Sequence, residues 1–356
     1  MSERLFRYTS NRDVRLSIVS PTGPKTDQKA PKKPMRWKIL NIEPDNYSEA
    51  ARAVLTDFAD LDERALDLAA LRAEIGDYDV LMVRLKHYIG PEILQSAPRL
   101  KAIVTATTGL DHIDVATAAA QSVQVLSLRG ETEFLRSIPA TAEQTWALLL
   151  ALMRHLPAAT QDVQAGHWHR DAFRGHELAQ KTLGIVGCGR IGEKVARYAL
   201  AFGMTVLAHD PYQATLPAGV MRCHTLADLL AQSDVVTLHV PLQPDTVELI
   251  DAQALALMRP DAVLINTARG AIVDEASLLA ALQHQHIAGA ALDVLAGESE
   301  APPSAEHPLI QYAQAHRNLI ITPHIGGATY ESMQNTEVFM ARKLAQFFAD
   351  SQAKGL

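Results

Sequence analysis

Gly187, Gly189 and Gly192 stand as G-x-G-x-x-G in LGIVGCGRIGEKVARYA, directly after an apolar run and at the start of a helical pattern. Each glycine has its own physical task. Gly187 makes the tight turn and Gly189 lets the backbone approach a pyrophosphate. Gly192 lets the helix pack close to the strand. The helix N-terminus then turns unpaired N–H groups and a positive dipole end toward the phosphates. Asp210 closes the next apolar run, where a carboxylate can accept from both adenosine ribose hydroxyls and would repel a 2′-phosphate. This pattern favours NAD over NADP. Cys188, inside the motif, reads as a packing residue.

Three further groups each follow an apolar run: Arg269 in INTARG, Asp293 and Glu298 in ALDVLAGE, and His324 in ITPHIGGAT. Ligands of open α/β sheets bind at the carboxyl ends of the strands, so topology predicts that these groups converge on one crevice. Their types suit oxidation of a carbon bearing a hydroxyl. An imidazole takes the hydroxyl proton, and a neighbouring carboxylate orients the ring and favours imidazolium. An arginine clamps a substrate carboxylate through two parallel hydrogen bonds, while the cofactor carries the redox chemistry itself. His167, His169 and His176 are expected to be solvated or interface residues and not metal ligands, because no carboxylate or thiol stands at matching spacing. No metal is expected.

The elements that must position these residues follow from the apolar pattern. Strands are predicted at WKILNI from Trp37, at Val80–Val83, Ala102–Thr105 and residues 123–126, with helices over residues 63–75 and Val115–Ala120. One long helix is expected over residues 138–156, with Pro139 in its first turn. A second series of six strands follows, at residues 183–186, 206–208, 235–240, 263–266, 288–294 and 319–322. Helices are signalled by Thr225 with Asp228 and by Asp274, and a last helix is expected over 330–350. The fold class is α/β, with two doubly wound, Rossmann-like parallel-sheet domains and a cleft between them.

With 356 residues, 48% of them hydrophobic, the chain is long enough for two domains and too apolar to be mainly disordered. Residues 1–38 hold ten Lys/Arg against three Asp/Glu, a charge of +7. The whole chain is −7, so residues 39–356 sum to −14. An acidic body disfavours nucleic-acid binding. No apolar run is long enough for a membrane span, no secretory signal is evident, and two cysteines make no disulfide framework. The expectation is a cytoplasmic protein with a flexible basic leader over residues 1–36 and no further regulatory domain.

In combination, GLDHID, HWHRDAFRGHELAQKTLGIVGCGRIG, LHVPLQPDT, INTARGAIVDE, GAALDV and TPHIGGAT resemble the D-isomer-specific 2-hydroxyacid dehydrogenases, over about residues 37–348. The resemblance implies a discontinuous substrate domain, 37–130 plus 326–350, around an NAD-binding domain at 131–325. It implies Arg269, Glu298 and His324 as the catalytic set. Cofactor contacts are implied for Arg190 and Ile191 in the glycine turn, for Val240, Pro241 and Thr246, for Thr267, Ala268 and Gly326, and for Asp293 as the carboxamide ligand. It further implies a homodimer through the NAD domain, with the segment around Trp168 at the interface. The substrate is expected to be a small 2-hydroxy or 2-oxo acid.

The substrate side departs from the family pattern. Residues 105–109 read TATTG where an Arg-Ala-Gly-like turn is common, and residues 127–136 replace an Asn-x-Pro turn. Ser299 replaces the usual proline after the glutamate. Arg84, Leu85 and Lys86 map to the carboxylate-contacting loop, and two cations there suggest a substrate with a second anionic group, phosphoglycerate among the possibilities. A formate-type reaction is disfavoured by Glu298, since such relatives carry glutamine. An NAD(H)-sensing binding protein of corepressor type is the alternative from another class.

Overall fold

The computed structural model describes residues 36–353. The expected leader, apart from Arg36, lies outside the described residues. Continuous apolar runs form the central strands of two parallel sheets, as burial on both faces requires. The first comprises β1 (Trp37–Asn41), β2 (Ala59–Glu63), β3 (Val80–Val83), β4 (Ala102–Thr105) and β5 (Gln124–Leu126), in the order β2-β1-β3-β4-β5. The second comprises β6 (Thr182–Val186), β7 (Thr205–His209), β8 (Val220–Arg222), β9 (Val235–Leu238), β10 (Val263–Asn266), β11 (Gly289–Leu292) and β12 (Leu319–Ile321). Its order is β12-β11-β10-β9-β6-β7-β8, so the winding reverses between β6 and β9. Both domains are Rossmann-like.

Because successive side chains on a strand point to opposite faces, each sheet is lined by two cores. Ile39, Val80, Met82 and Val104 face one core of the first sheet, and Leu40, Leu81, Val83 and Ile103 face the other. The last helix, Tyr330–Ala353, returns the chain to the first sheet, where Met340, Leu344 and Phe348 are buried. Trp37 meets the Phe348 ring edge-on at 4.7 Å between centroids. Among the described residues no helix is long and apolar enough to cross a membrane.

Three expectations are corrected. Residues 63–75 are not one helix: β2 ends at Glu63 and the helix spans Leu68–Glu74, capped by the Asp67 side chain. The expected helix over 138–156 is two helices, Ala140–Met153 and Leu156–Gln164. Pro157 has no N–H to donate back to the Met153 carbonyl, and that carbonyl accepts from His176 N at 2.9 Å. His155 turns the corner at φ 53°, and Pro139 sits at the N-cap, one position before the first turn. The second sheet has seven strands and not six, because the short edge strand β8 pairs with β7.

Candidate active site

The glycine turn joins β6 to the helix Arg190–Ala201 at the point where the sheet order reverses. Gly187 has φ +88°, and a Cβ there would lie 2.9 Å from the His239 carbonyl and 2.8 Å from Val240 Cγ1. A Cβ on Gly192 would lie 2.3 Å from the Gly187 carbonyl oxygen, so its absence lets helix and strand touch. Beside Gly189 nothing lies within 4 Å of such a position. The turn is therefore closed where it packs and open where a phosphate would approach, which fits a dinucleotide. Asp210, nearly buried, accepts from Cys188 N at 2.8 Å through one oxygen and from Tyr212 N at 2.9 Å through the other. It thus ties the glycine turn to the loop after β7. Burial pushes the Cys188 thiol up to about 11, which makes it a packing residue.

A cleft of 1370 Å³ runs between the two sheets. Arg190, Ile191, Val240, Pro241, Thr267, Ala268, Arg269, Asp293 and His324 line it from the second sheet's side, Arg84, Leu85 and Lys86 from the first, and Gly326 from the loop leading to the last helix. Gly187, Gly189, Gly192, Asp210 and Thr246 lie outside this lining. Thr246 Oγ1 instead donates to the Pro241 carbonyl at 2.7 Å and closes a local turn. Glu298 lies outside it too, bordering an adjoining 700 Å³ cavity whose wall includes His324.

His324 Nδ1 stands 2.5 Å from Glu298 Oε1. A carboxylate can only accept, so Nδ1 carries the proton in this pair and Nε2 is left for a substrate. His324 holds φ 53°, a strained value for a residue with a Cβ, and Asp293 fixes the backbone around it. His324 N donates to the Asp293 carbonyl at 2.8 Å. The Asp293 carboxylate accepts from Ile325 N at 3.0 Å, Gly326 N at 2.7 Å and Thr322 Oγ1 at 2.5 Å. Desolvation raises the pKa of this buried carboxyl, against the lowering by those bonds. Arg269 Nε donates to Asp111 Oδ2 at 2.8 Å and its NH1 to the Ala268 carbonyl at 2.7 Å. The Asp111–Arg269 pair spans the cleft. Burial works against ionised Asp111, yet the Arg269 guanidinium leaves its carboxyl below the usual range. A Cβ on Gly109 would lie 1.7 Å from the Arg269 NH2.

Gly109, Asp111 and His112 are residues to which sequence reasoning gave no role, although their motif, GLDHID, was visible. His112 is fully buried, with Nε2 3.2 Å from Thr105 Oγ1. Burial pushes its pKa down to about 4 from 6.5. The unfolded chain therefore takes up the extra proton between those values, and stability falls as pH drops from about 6.5 toward 4. Denaturant unfolding is expected to give about 2 kcal/mol less stability from this group at pH 5 than at pH 7, and His112→Asn to remove that part of the dependence. Identical pH profiles for the two proteins would refute this.

Of the two cations expected on the substrate side at residues 84 and 86, Arg84 is engaged by the protein's own carboxylates. The Arg84 guanidinium lies between the buried carboxylates of Glu43, at 3.9 Å, and Glu337, at 3.8 Å, and its NH2 donates to the Asp45 carbonyl at 3.0 Å. Both carboxylates lie within ion-pair distance of it. The exposed Lys86 ammonium makes no ion pair among the described residues.

The D-isomer specific 2-hydroxyacid dehydrogenase, NAD binding domain family model matches residues 146–326. The D-3-phosphoglycerate dehydrogenase of Synechocystis is 38% identical over 305 residues, 84% of this chain and 52% of that protein. The chain spans about half the length of the curated relatives it matches. A solved structure from Thermus thermophilus is 34% identical with a TM-score of 0.73, covering 85% of this chain and 94% of that one. The Aquifex aeolicus D-lactate dehydrogenase, complexed with NAD and lactic acid, is 28% identical with a TM-score of 0.75, covering 89% and 96%. The chain belongs to the D-isomer-specific 2-hydroxyacid dehydrogenase family.

Proposed function

We propose that this protein is an NAD-dependent oxidoreductase interconverting a D-2-hydroxy acid and its 2-oxo acid. The observation that carries the reading is the His324–Glu298 pair at 2.5 Å, with His324 on the same cleft as Arg269 and Glu298 behind it in the adjoining cavity. Arg190, Ile191, Val240, Pro241, Thr267, Ala268 and Gly326 hold the dinucleotide, with Gly187, Gly189 and Gly192 shaping its phosphate turn and Asp210 and Thr246 flanking it. When bound, NAD accepts or returns the hydride. His324 Nε2 accepts the hydroxyl proton in oxidation and returns it to the carbonyl oxygen in reduction. Glu298 orients the ring and stabilises imidazolium, and Arg269 holds the substrate carboxylate through its NH2 edge, with Asp111 fixing Nε. Asp293 adds a contact to the carboxamide while it holds the His324 loop.

The substrate domain in this reading is 37–130 plus 326–350, and 131–325 binds NAD. Dimerisation through the NAD domain is supported by the exposure of Trp168, at 84%. Two buried, free cysteines, Cys188 and Cys223, support a reducing, cytoplasmic setting. Arg84, Leu85 and Lys86 line the substrate side. With Arg84 paired to Glu43 and Glu337, Lys86 is the cation of that loop left for a second anionic group, such as the phosphate of phosphoglycerate. Purified protein is expected to consume NADH with at least one member of a panel of 2-oxo acids, followed by the fall in absorbance. NADH binding with no turnover across the panel would replace this reading with that of an NAD(H) sensor.

A further inference from the structure

Away from the cleft, the end of the helix Leu156–Gln164 gathers three groups with metal-ligand chemistry. Gly166, at φ +82°, reverses the chain. Gly166 N then bonds the Val163 carbonyl and His167 N the Asp162 carbonyl, each at 3.0 Å. His169 N donates to Asp162 Oδ2 at 3.1 Å. These backbone bonds fold both imidazoles over one carboxylate. Asp162 Oδ1 lies 2.9 Å from His169 Nδ1 and 3.3 Å from His167 Nδ1. One ligand atom from each of the three residues lies within 4.8 Å of the others, and among the described residues no other His, Cys, Asp or Glu group does this. The carboxylate that seemed to be missing near these histidines stands five residues before His167, across the helix end.

We propose that Asp162, His167 and His169 bind one divalent transition-metal ion of the zinc class, with water completing the coordination. Ligand atoms on a tetrahedral zinc, at about 2.0–2.1 Å each, stand about 3.3 Å apart, close to the spacings seen here. Two imidazoles and one carboxylate suit zinc, cobalt, nickel or copper better than magnesium or calcium, which prefer all-oxygen sites. In the single chain the imidazoles are exposed and the Asp162 side chain is 14% exposed, and they flank the Trp168 segment of the proposed dimer interface. All three ligands come from one helix end, and the ion needs no residue of the cleft.

His284 and His286 provide the internal control. They share the His-x-His spacing, with ring centroids 5.9 Å apart, but belong to no such three-residue group. Untagged full-length protein, freed of metal by chelation, is tested by zinc equilibrium dialysis and by cobalt absorption in the visible range. One equivalent of zinc per chain and zinc-displaceable cobalt bands are expected. Asp162→Asn and His169→Ala should each weaken binding at least about tenfold, the minimum for losing a ligand when outer-shell losses already cost that much. His284→Ala/His286→Ala should leave binding unchanged. No stoichiometric zinc at micromolar concentration, or equal binding by wild type and Asp162→Asn, would overturn the site. Because the readout is metal content, it stands whatever substrate the cleft accepts.

Discussion

His324→Ala is expected to lower turnover at least about a hundredfold, the usual size of a general acid–base contribution, while NADH binds with unchanged affinity. The two halves of this expectation have different structural origins. In the proposed mechanism turnover depends on Nε2, because Glu298 holds Nδ1 at 2.5 Å and the His112 imidazole is buried. Cofactor binding depends on the loop, and Asp293 holds that loop through Ile325 N, Gly326 N and the His324 backbone N–H, all of which alanine keeps. The substitution should therefore remove a proton carrier without unlatching the loop. Fluorescence titration with NADH and steady-state rates on the same preparation separate the two. Undiminished turnover would take His324 out of the mechanism, whereas lost NADH affinity would mean the loop had collapsed.

The central strands were legible because burial on both faces leaves unbroken apolar runs, as in Val80–Val83 and Val263–Asn266. Edge strands lack that signal. ADLDE of β2 has one neighbour strand, and its acidic side chains pair with Arg36, Arg52 and Arg64, so nothing in the sequence alone separates it from a helix start. The gathering of Arg269, Asp293 and His324 on the cleft was legible from chain order, because parallel strands present their carboxyl ends on one side. What each side chain touches was not. Asp111 and Arg269 are 158 positions apart and meet only because two domains face one another. Arg84 reads in sequence as a cation of the substrate side, and its guanidinium lies 3.8 Å from Glu337, from the far end of the chain. Asp162 was overlooked for the opposite reason: the link to His167 and His169 is local, but it depends on the reversal at Gly166 and not on a helical repeat.

Gly109 gives the sharpest test of the arginine clamp. A methyl group there would sit 1.7 Å from Arg269 NH2 and 2.8 Å from Cζ, so the end of the arginine side chain must move. Gly109→Ala should therefore push the guanidinium off its present position. The lost contacts are hydrogen bonds between charged groups, about 1.5–3 kcal/mol each, so kcat/KM for a 2-oxo acid is expected to fall at least about tenfold. Arg269→Ala, which removes both contacts to the carboxylate, should cost at least about a hundredfold. NADH affinity should change in neither. The decisive measurement is the double variant. If Gly109 acts through Arg269, then adding Gly109→Ala to Arg269→Ala costs nothing further, because the group it displaces is already gone. Equal losses from Gly109→Ala with and without the arginine would show that the glycine serves the loop alone and that the clamp is held in some other way.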